Sequence, residues 1–496
     1  MTPPDQAPSG PAGTELPAAP SPPGSLGNRL LRSTGAATFS QLWRFGVTLA
    51  THVVLRKLVA PADWGLWHWA ESFLFLLLVQ VRDLGLPAHV VRDRSRPYGN
   101  FLAVELGWGA LLALAIYFAG PLLALAYADP GPTTVAVVRA LCLFLILEGL
   151  GKVPLIYFEA ELLIERALGP EIARNLCFAG LSIVLALRGH GVWSLVVAHV
   201  VASGLFAALL WLRALPDMPL RWVAGETWPL VRQSLPLMVM ALLLIAVDWL
   251  DVQVLSLRFP GAVIGMYGAA LTFALLMPRV LELPIRRALY PAFVAVRDDA
   301  RRFFETYRLA TILLMAIQVP FALFLLVNAE LILVLYATGE YAAAAPWLRV
   351  LCFIPLVQPF ARCAEDVILA RHEERLLIIA SLLTLASLVG FGLWFTGFFT
   401  GAGEPQGMAW AKLLPLGAVL VTWAVRRVDP AGFRRLAGEL ALLYLVPVPF
   451  FAAAWYLGAG NPWLRLGLSA GAGLATAALY AWRWGPGFLR FFRASG

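Results

Sequence analysis

Residues 55–77 read LRKLVAPADWGLWHWAESFLFLL, and residues 255–277 read LSLRFPGAVIGMYGAALTFALLM. Each stretch closes one apolar run, turns at a proline and a glycine, and opens a second apolar run. Pro61 matches Pro260 and Gly65 matches Gly265 if one inserted residue is allowed, with Trp67 and Tyr267 following the glycines. A weaker echo joins RGHGVWSLVVAHVV from Arg188 to EPQGMAWAKLLPLG from Glu404. Six apolar runs separate the members of each pair, so both copies enter a membrane in the same direction. Transporters use parallel repeats of this kind, related by an axis along the membrane normal, to enclose a central cavity between two lobes.

The rest of the chain agrees with a membrane setting. Of 496 residues, 60% are hydrophobic and 14% charged, with a mean hydropathy of +0.76. Soluble proteins run at about 45–50% apolar and about 25% charged. Apolar runs matching the ~20 residues that cross the hydrocarbon core centre near residues 46, 75, 112, 145, 179, 202, 246, 275, 317, 356, 385, 416, 445 and 473. The expected fold is therefore an all-α polytopic membrane protein of about fourteen transmembrane helices. Two parallel-repeat six-helix lobes account for twelve, and two C-terminal helices follow. The boundaries read as a disordered cytoplasmic tail over 1–28, an N-lobe over 29–215, a C-lobe over 216–428, and helices 13 and 14 with a cytoplasmic C-terminus over 429–496. Residues 1–25 are rich in Pro, Ala, Gly and Ser and lack the apolar core of a signal peptide.

Charge sets the orientation. The breaks APADWG, YADPGPTT, RGHG, RFPGA, ATGEYAAAAP, TGAGEPQG and LGAGNP alternate with RDRSRPYGN, EAELLIERALGPEIARN, RALPDMPLRWVAGETW, ALYPAFVAVRDDARRFFETYR, ARHEER and RRVDPAGFRR. About 5 Lys and Arg fall on the first side and roughly 25 on the second, so the arginine-rich loops and both termini are expected in the cytoplasm of a cell with this chain in its inner membrane. The net charge of +8 is absorbed by these loops, which leaves no basic patch for nucleic acid. Trp64, Trp67, Trp69, Trp193, Trp222, Trp228, Trp463 and Trp484 lie near expected helix ends, as in an aromatic belt. Cys142, Cys177, Cys352 and Cys363 sit in apolar runs with no Cys/His cluster, so neither a disulfide framework nor a metal site is expected. With no loop beyond about 25 residues and no phosphate-binding, dinucleotide or nucleophile-elbow motif, a catalytic domain has no place. A polysaccharide polymerase or ligase, which needs a substantial external loop, is disfavoured. No enzyme activity and no cofactor are expected.

LVAPADWGLW at the first turn, DLGLPAHVVRD after helix 2, GHGVWSLV at helix 6, IGMYGAA at helix 8 and ALYPAFVAVRDD after it occur in the order found in the polysaccharide transporter family. Over residues 30–430 the chain resembles this family of O-antigen (Wzx-type) and exopolysaccharide flippases. The family is part of the superfamily of multidrug, oligosaccharidyl-lipid and polysaccharide exporters. The resemblance implies transfer of an undecaprenyl-pyrophosphate-linked oligosaccharide between leaflets by a monomer, with helices 1, 2, 7 and 8 lining the cavity. It implies as partners the lipid-linked oligosaccharide, membrane lipid, and a polysaccharide polymerase and chain-length regulator. An ion-coupled multidrug or metabolite antiporter is the alternative within the same superfamily.

A charge at mid-membrane depth costs on the order of 2.5–3.5 kcal/mol, so it faces protein or water and often marks function. Arg44 shares a polar stripe with Gln41 and Thr48, and Arg279 lies on the repeat counterpart of helix 2. With Arg362 and Lys412 these are the candidate head-group cations, because guanidinium suits bidentate phosphate contacts. Glu282 at i+3 is the structural partner open to Arg279, and Glu365 and Asp366 those open to Arg362. Asp248 and Asp251 share a face of helix 7, a spacing that suits a proton or sodium site. Glu71 is a third ion-coupling candidate, with H⁺ or Na⁺ as the coupling ion. Pairing with a neighbouring arginine is the competing reading for these acids. Arg82, Asp83, Lys152 and Arg349 lie nearer helix ends, where snorkelling to the interface suffices.

Overall fold

The structure is a computed structural model that describes residues 26–495 apart from 73–77, 88–89, 91–96, 283–284, 287–288, 290–292, 294–295, 297–298, 372, 399 and 402. The tail expected over 1–28 lies outside the described residues up to residue 25, and residues 26–28 already belong to the first helix. The described residues are helical, with no strand among them. In chain order the first half comprises α1 (Leu26–Leu58), α2 (Pro61–Ala70), α3 (Val79–Asp83), α4 (Tyr98–Ala124), α5 (Pro132–Ala160), α6 (Glu165–Leu187) and α7 (Val192–Ala214). The second comprises α8 (Thr227–Ser256), α9 (Gly261–Ala274), a π turn (Pro278–Glu282), α10 (Ala300–Tyr336), a 3₁₀ turn (Gly339–Ala344), α11 (Ala345–Leu351), α12 (Ile354–Ala370), α13 (Glu374–Phe395), α14 (Gln406–Lys412) and α15 (Leu416–Val428). The chain finishes with α16 (Pro430–Leu445), α17 (Val448–Leu457) and α18 (Pro462–Ser495).

Thirteen of the expected span centres fall in these helices or at their caps, and the one at residue 75 lies outside the described residues. Among the described residues nine helices are long and apolar enough to cross a membrane, or ten when Gly339–Leu351 and Ile354–Leu369, bent by 41°, form one span. The other expected spans correspond to α1, to α2 with α3, to α9 with its π turn, and to α18. Breaks inside spans have local causes. Pro415 cannot donate the amide that would continue α14 into α15, and Asn328 departs from helical geometry (φ −111°, ψ 15°) to kink α10. The Asn328 amide donates to Phe324 O and to Ser469 Oγ (2.7 Å), fastening α18 onto α10.

The repeat is visible in the backbone. Ala60 (φ −61°, ψ 149°) caps α2 and Pro260 (φ −64°, ψ 159°) caps α9 in the same extended conformation. The structural register is therefore a uniform shift of 200, pairing position 60 with 260 and Gly65 with Gly265. The inserted residue that aligned the two prolines is not needed, since Pro61 and Pro260 serve one position apart at the same turn. α2 and α9 then cross each other through these glycines. A Cβ on Gly65 would stand 1.7 Å from Gly261 O, and one on Gly265 would stand 2.1 Å from Pro61 O. Position 65 thus meets 261 while 265 meets 61, as a two-fold axis between the repeats requires.

The large apolar core surrounds this crossing. Leu55, Trp64, Trp69, Leu145 and Leu195 from the first half pack with Leu255, Ile264, Tyr267, Leu348 and Met408 from the second. A second core joins α10, α12 and α15 to α16 and α18, and a third joins α4, α5 and α7 to Ala167 of α6 and Leu230 of α8. The segment between the halves is clipped to α4 by the buried Asn100, which donates to Val223 O and accepts from Val223 N, both at 2.8 Å.

Candidate substrate and ion site

Between α8, α12, α13, α14 and α15 lies a cavity of about 220 Å³. Leu243, Val247 and Leu377 form part of its apolar wall, while Asp248, Arg286, Arg362, Glu365 and Lys412 supply charge. Arg362 donates from Nη2 to Asp248 Oδ1 at 2.9 Å and from Nη1 to Glu365 Oε2 at 3.2 Å. Arg286 grips Asp366 with two parallel bonds of 2.7 Å, the fork geometry that a guanidinium and a carboxylate share. Glu282 stands 3.8 Å from the same arginine and accepts from Gln318 at 3.3 Å. Lys412, the last residue of α14, donates to Asp251 Oδ2 and to the Asp248 carbonyl, each at 2.7 Å. Tyr267 donates to that same Asp251 oxygen at 2.8 Å, and the other, Oδ1, is buried without a hydrogen bond.

Candidates that the sequence presents as two groups thus form one network. The i, i+3 spacing on α8 turns Asp248 and Asp251 toward different cations, one on α12 and one on α14. The acids that suggested an ion site neutralise two of the cations that suggested a head-group site. Glu365, named as a partner open to Arg362, does pair with it, whereas Asp366 is taken by Arg286 and Glu282 faces Arg286 and Gln318. Among the described residues of the network three cations, Arg286, Arg362 and Lys412, face five carboxylates, Asp248, Asp251, Glu282, Glu365 and Asp366.

The remaining candidates lie beside or away from this network. Arg279, in the π turn, places its guanidinium 5.0 Å from the centre of the Trp249 ring, and His68 meets that ring at 5.7 Å. Glu71 Oε2 stands 3.6 Å from His68 Nδ1. Glu71 and Arg279 therefore belong to one string, Glu71–His68–Trp249–Arg279, that runs from the first half to the second. Arg44 is separate: its side chain is 59% exposed and reaches Glu171 at 3.6 Å. Among the described residues no three His, Cys, Asp or Glu side chains are grouped as metal ligands.

One charged network was misjudged from sequence. Arg82 and Asp83, expected to snorkel, are buried inside the first half. Arg82 binds Asp83 through Nε and Nη2 and donates to Leu145 O (3.0 Å) through Nη1. Lys152 reaches Asp83 at 3.2 Å, and the fully buried Glu105 lies 3.1 Å from Arg82 Nε. The cause is the end of α3, where Leu84 (φ 49°) and Gly85 (φ 74°) reverse the chain in the left-handed region. That turn holds Arg82 within the bundle instead of letting it climb toward a surface. Gly109 and Gly149 lie beside it, where a Cβ would make ordinary van der Waals contact with its side chain at 3.5 and 3.6 Å.

With this geometry in place, comparison with known proteins assigns the chain to a fold and then to a family. Its fold matches that of a lipid II flippase MurJ in an inward closed conformation, with a TM-score of 0.69 and 14% identity over 91% of this chain and 98% of that one. An inward-facing multidrug resistance MATE family transporter of the MOP superfamily matches at 0.61, with 15% identity over 82% and 98%. An outward-facing one matches at 0.53, with 16% identity over 84% and 99%. No curated protein matches the chain significantly in sequence. The sequence profile of the family described as polysaccharide biosynthesis protein matches residues 54–346, more than half of the chain, and the chain belongs to that family. It is a multi-pass membrane protein with a transporter fold.

Proposed function

We propose that the chain is a flippase that moves undecaprenyl-pyrophosphate-linked oligosaccharide units, destined for O-antigen or exopolysaccharide, from the cytoplasmic to the outer leaflet of the inner membrane. In this reading residues 29–215 and 216–428 rock as two lobes, both termini lie in the cytoplasm, and no bond is made or broken. A glycan pyrophosphate cannot cross hydrocarbon unaided, because each unpaired polar group costs several kcal/mol there. The observation that carries the reading is the setting of paired cations in the second half: Arg362 and Lys412 stand on the wall of a cavity whose lining runs from Met240 to Ala418, and Arg279 lies on the adjoining string that reaches the first half. The pyrophosphate would take these cations from their carboxylates. Asp248 and Asp251, so released, would accept H⁺ or Na⁺, with Glu71 doing the same at the string's other end. The surplus of carboxylates over cations among the described residues of the network opposes an arriving anion, so in this reading uptake of H⁺ or Na⁺ by the acids accompanies its entry. Arg44, exposed and paired with Glu171 at 3.6 Å, would make the first contact with the head group.

The test is reconstitution in liposomes with a labelled undecaprenyl-pyrophosphate oligosaccharide, following its accessibility in each leaflet. Wild type should transfer the lipid, and Arg279→Gln with Arg362→Gln should slow transfer by about tenfold or more, the factor that 1.4 kcal/mol brings. Arg44→Ala should have the smaller effect. Failure of wild type to move the lipid, with efflux of a small organic cation instead, would replace the flippase by the antiporter.

A further inference from the structure

Arg56 belongs to neither network. It lies at the last turn of α1, 3% exposed, beside the glycine crossing. Its Nη1 donates to Gly265 O at 3.1 Å and to Tyr341 Oη at 3.4 Å, so an α1 side chain is held by α9 and by the 3₁₀ turn. The guanidinium carbon lies 4.3 Å from the centre of the Trp64 ring, 5.3 Å from that of Tyr336 and 5.5 Å from that of Tyr341. Its Nε is buried without a hydrogen bond, and among the described residues no carboxylate comes within ion-pair distance of it. A cage of rings attracts a cation, but it leaves the Nε donor unused and, among the described residues, the charge without a carboxylate partner. Three of these four residues, Gly265, Tyr336 and Tyr341, belong to the second half of the chain. When α2 and α9 part, the cage loses Tyr336, Tyr341 and Gly265 O, and the guanidinium is uncovered at the end of the bundle opposite the arginine-rich loops.

We infer that Arg56 is a concealed phosphate-binding residue, sheathed in an aromatic cage while the crossing is shut and bared to a pyrophosphate group when it opens. The pyrophosphate comes from the substrate in the reading proposed above, on which this inference rests. A guanidinium with free donors is suited to that anion, and by binding it would hold the open state. Closure would return the side chain to its cage and release the anion.

The experiment uses the full chain in liposomes, its four native cysteines replaced by alanine and Ile264→Cys placed in the crossing. A membrane-impermeant maleimide on the outer face then reports opening. Inorganic pyrophosphate added on that face should raise the labelling rate of the parent. Arg56→Gln should raise labelling by about tenfold without pyrophosphate, through loss of the cage contacts, and should erase the pyrophosphate increment. Tyr341→Phe, which removes one hydrogen bond and spares the arginine, should raise basal labelling and keep the increment. Parental labelling in Arg56→Gln, or an increment that survives in it, overturns the inference. If these results hold while wild type fails to transfer the lipid-linked oligosaccharide, the anion site stands and the substrate reading falls.

Discussion

Gly65→Leu should abolish transport while the protein still inserts. The substitution gains helix propensity worth about 1 kcal/mol, so a local view predicts stabilisation. The crossing decides otherwise. A Cβ at this position would stand 1.7 Å from Gly261 O and 2.5 Å from the Gly261 carbonyl carbon, atoms that have no rotamer in which to step aside. Overpacking a core costs about 1–3 kcal/mol when side chains can shift, and here the whole of α2 has to back away from α9. That separation also strips the cage from Arg56. Transfer of the labelled lipid should fall by about tenfold or more, the equivalent of at least 1.4 kcal/mol, and Gly265→Leu should do the same by symmetry. Gly467→Leu, where a Cβ meets nothing within 4 Å, is the control. Parental transport in either crossing variant would mean that α2 and α9 do not meet as described.

The second large effect concerns Lys412 and Asp251. Removing one member of a buried ion pair leaves an uncompensated charge and costs about 3–5 kcal/mol, whereas replacing both is often neutral. The Asp251 side chain is fully buried and that of Lys412 is 11% exposed, so solvent offers little screening. Lys412→Met should therefore lower the apparent melting temperature in detergent by on the order of 5 °C or more. Asp251→Asn alone should cost less, because Lys412 keeps the Asp248 carbonyl and Tyr267 keeps an oxygen to donate to. Combining the two should recover at least half of what Lys412→Met loses. Strictly additive losses would rule out a coupled pair.

The contrast between these residues and those recognised early shows what a sequence can carry. Apolar runs and the one-sided arginines depend on composition along the chain, and they located the helices and the expected topology. Pairs on one helix face, such as Arg362 with Glu365, follow from helical spacing and were also legible. The partners that matter most are separated by many residues: Arg362 meets Asp248 114 positions away, and Lys412 meets Asp251 161 positions away. No periodicity encodes which helices become neighbours. Arg56 directly precedes the turn APADWG, and it is covered by residues as distant as Gly265 and Tyr341, 209 and 285 positions away. Arg82 was misplaced in depth by a left-handed turn at Leu84, a residue whose type gives no warning of positive φ. The repeat itself was found, but the prolines drew its alignment one residue out of register.

The uniform shift of 200 between the hairpins has a consequence for chain length. Each residue advances a helix by about 100°. One residue inserted between Pro61 and Gly65 would turn the glycine away and aim Trp64 or Leu66 at the backbone of α9. A deletion before Gly265 would do the same to α2. The hairpins are held to their residue count as well as to their glycines, so insertions in this chain should be confined to the loops outside the crossing.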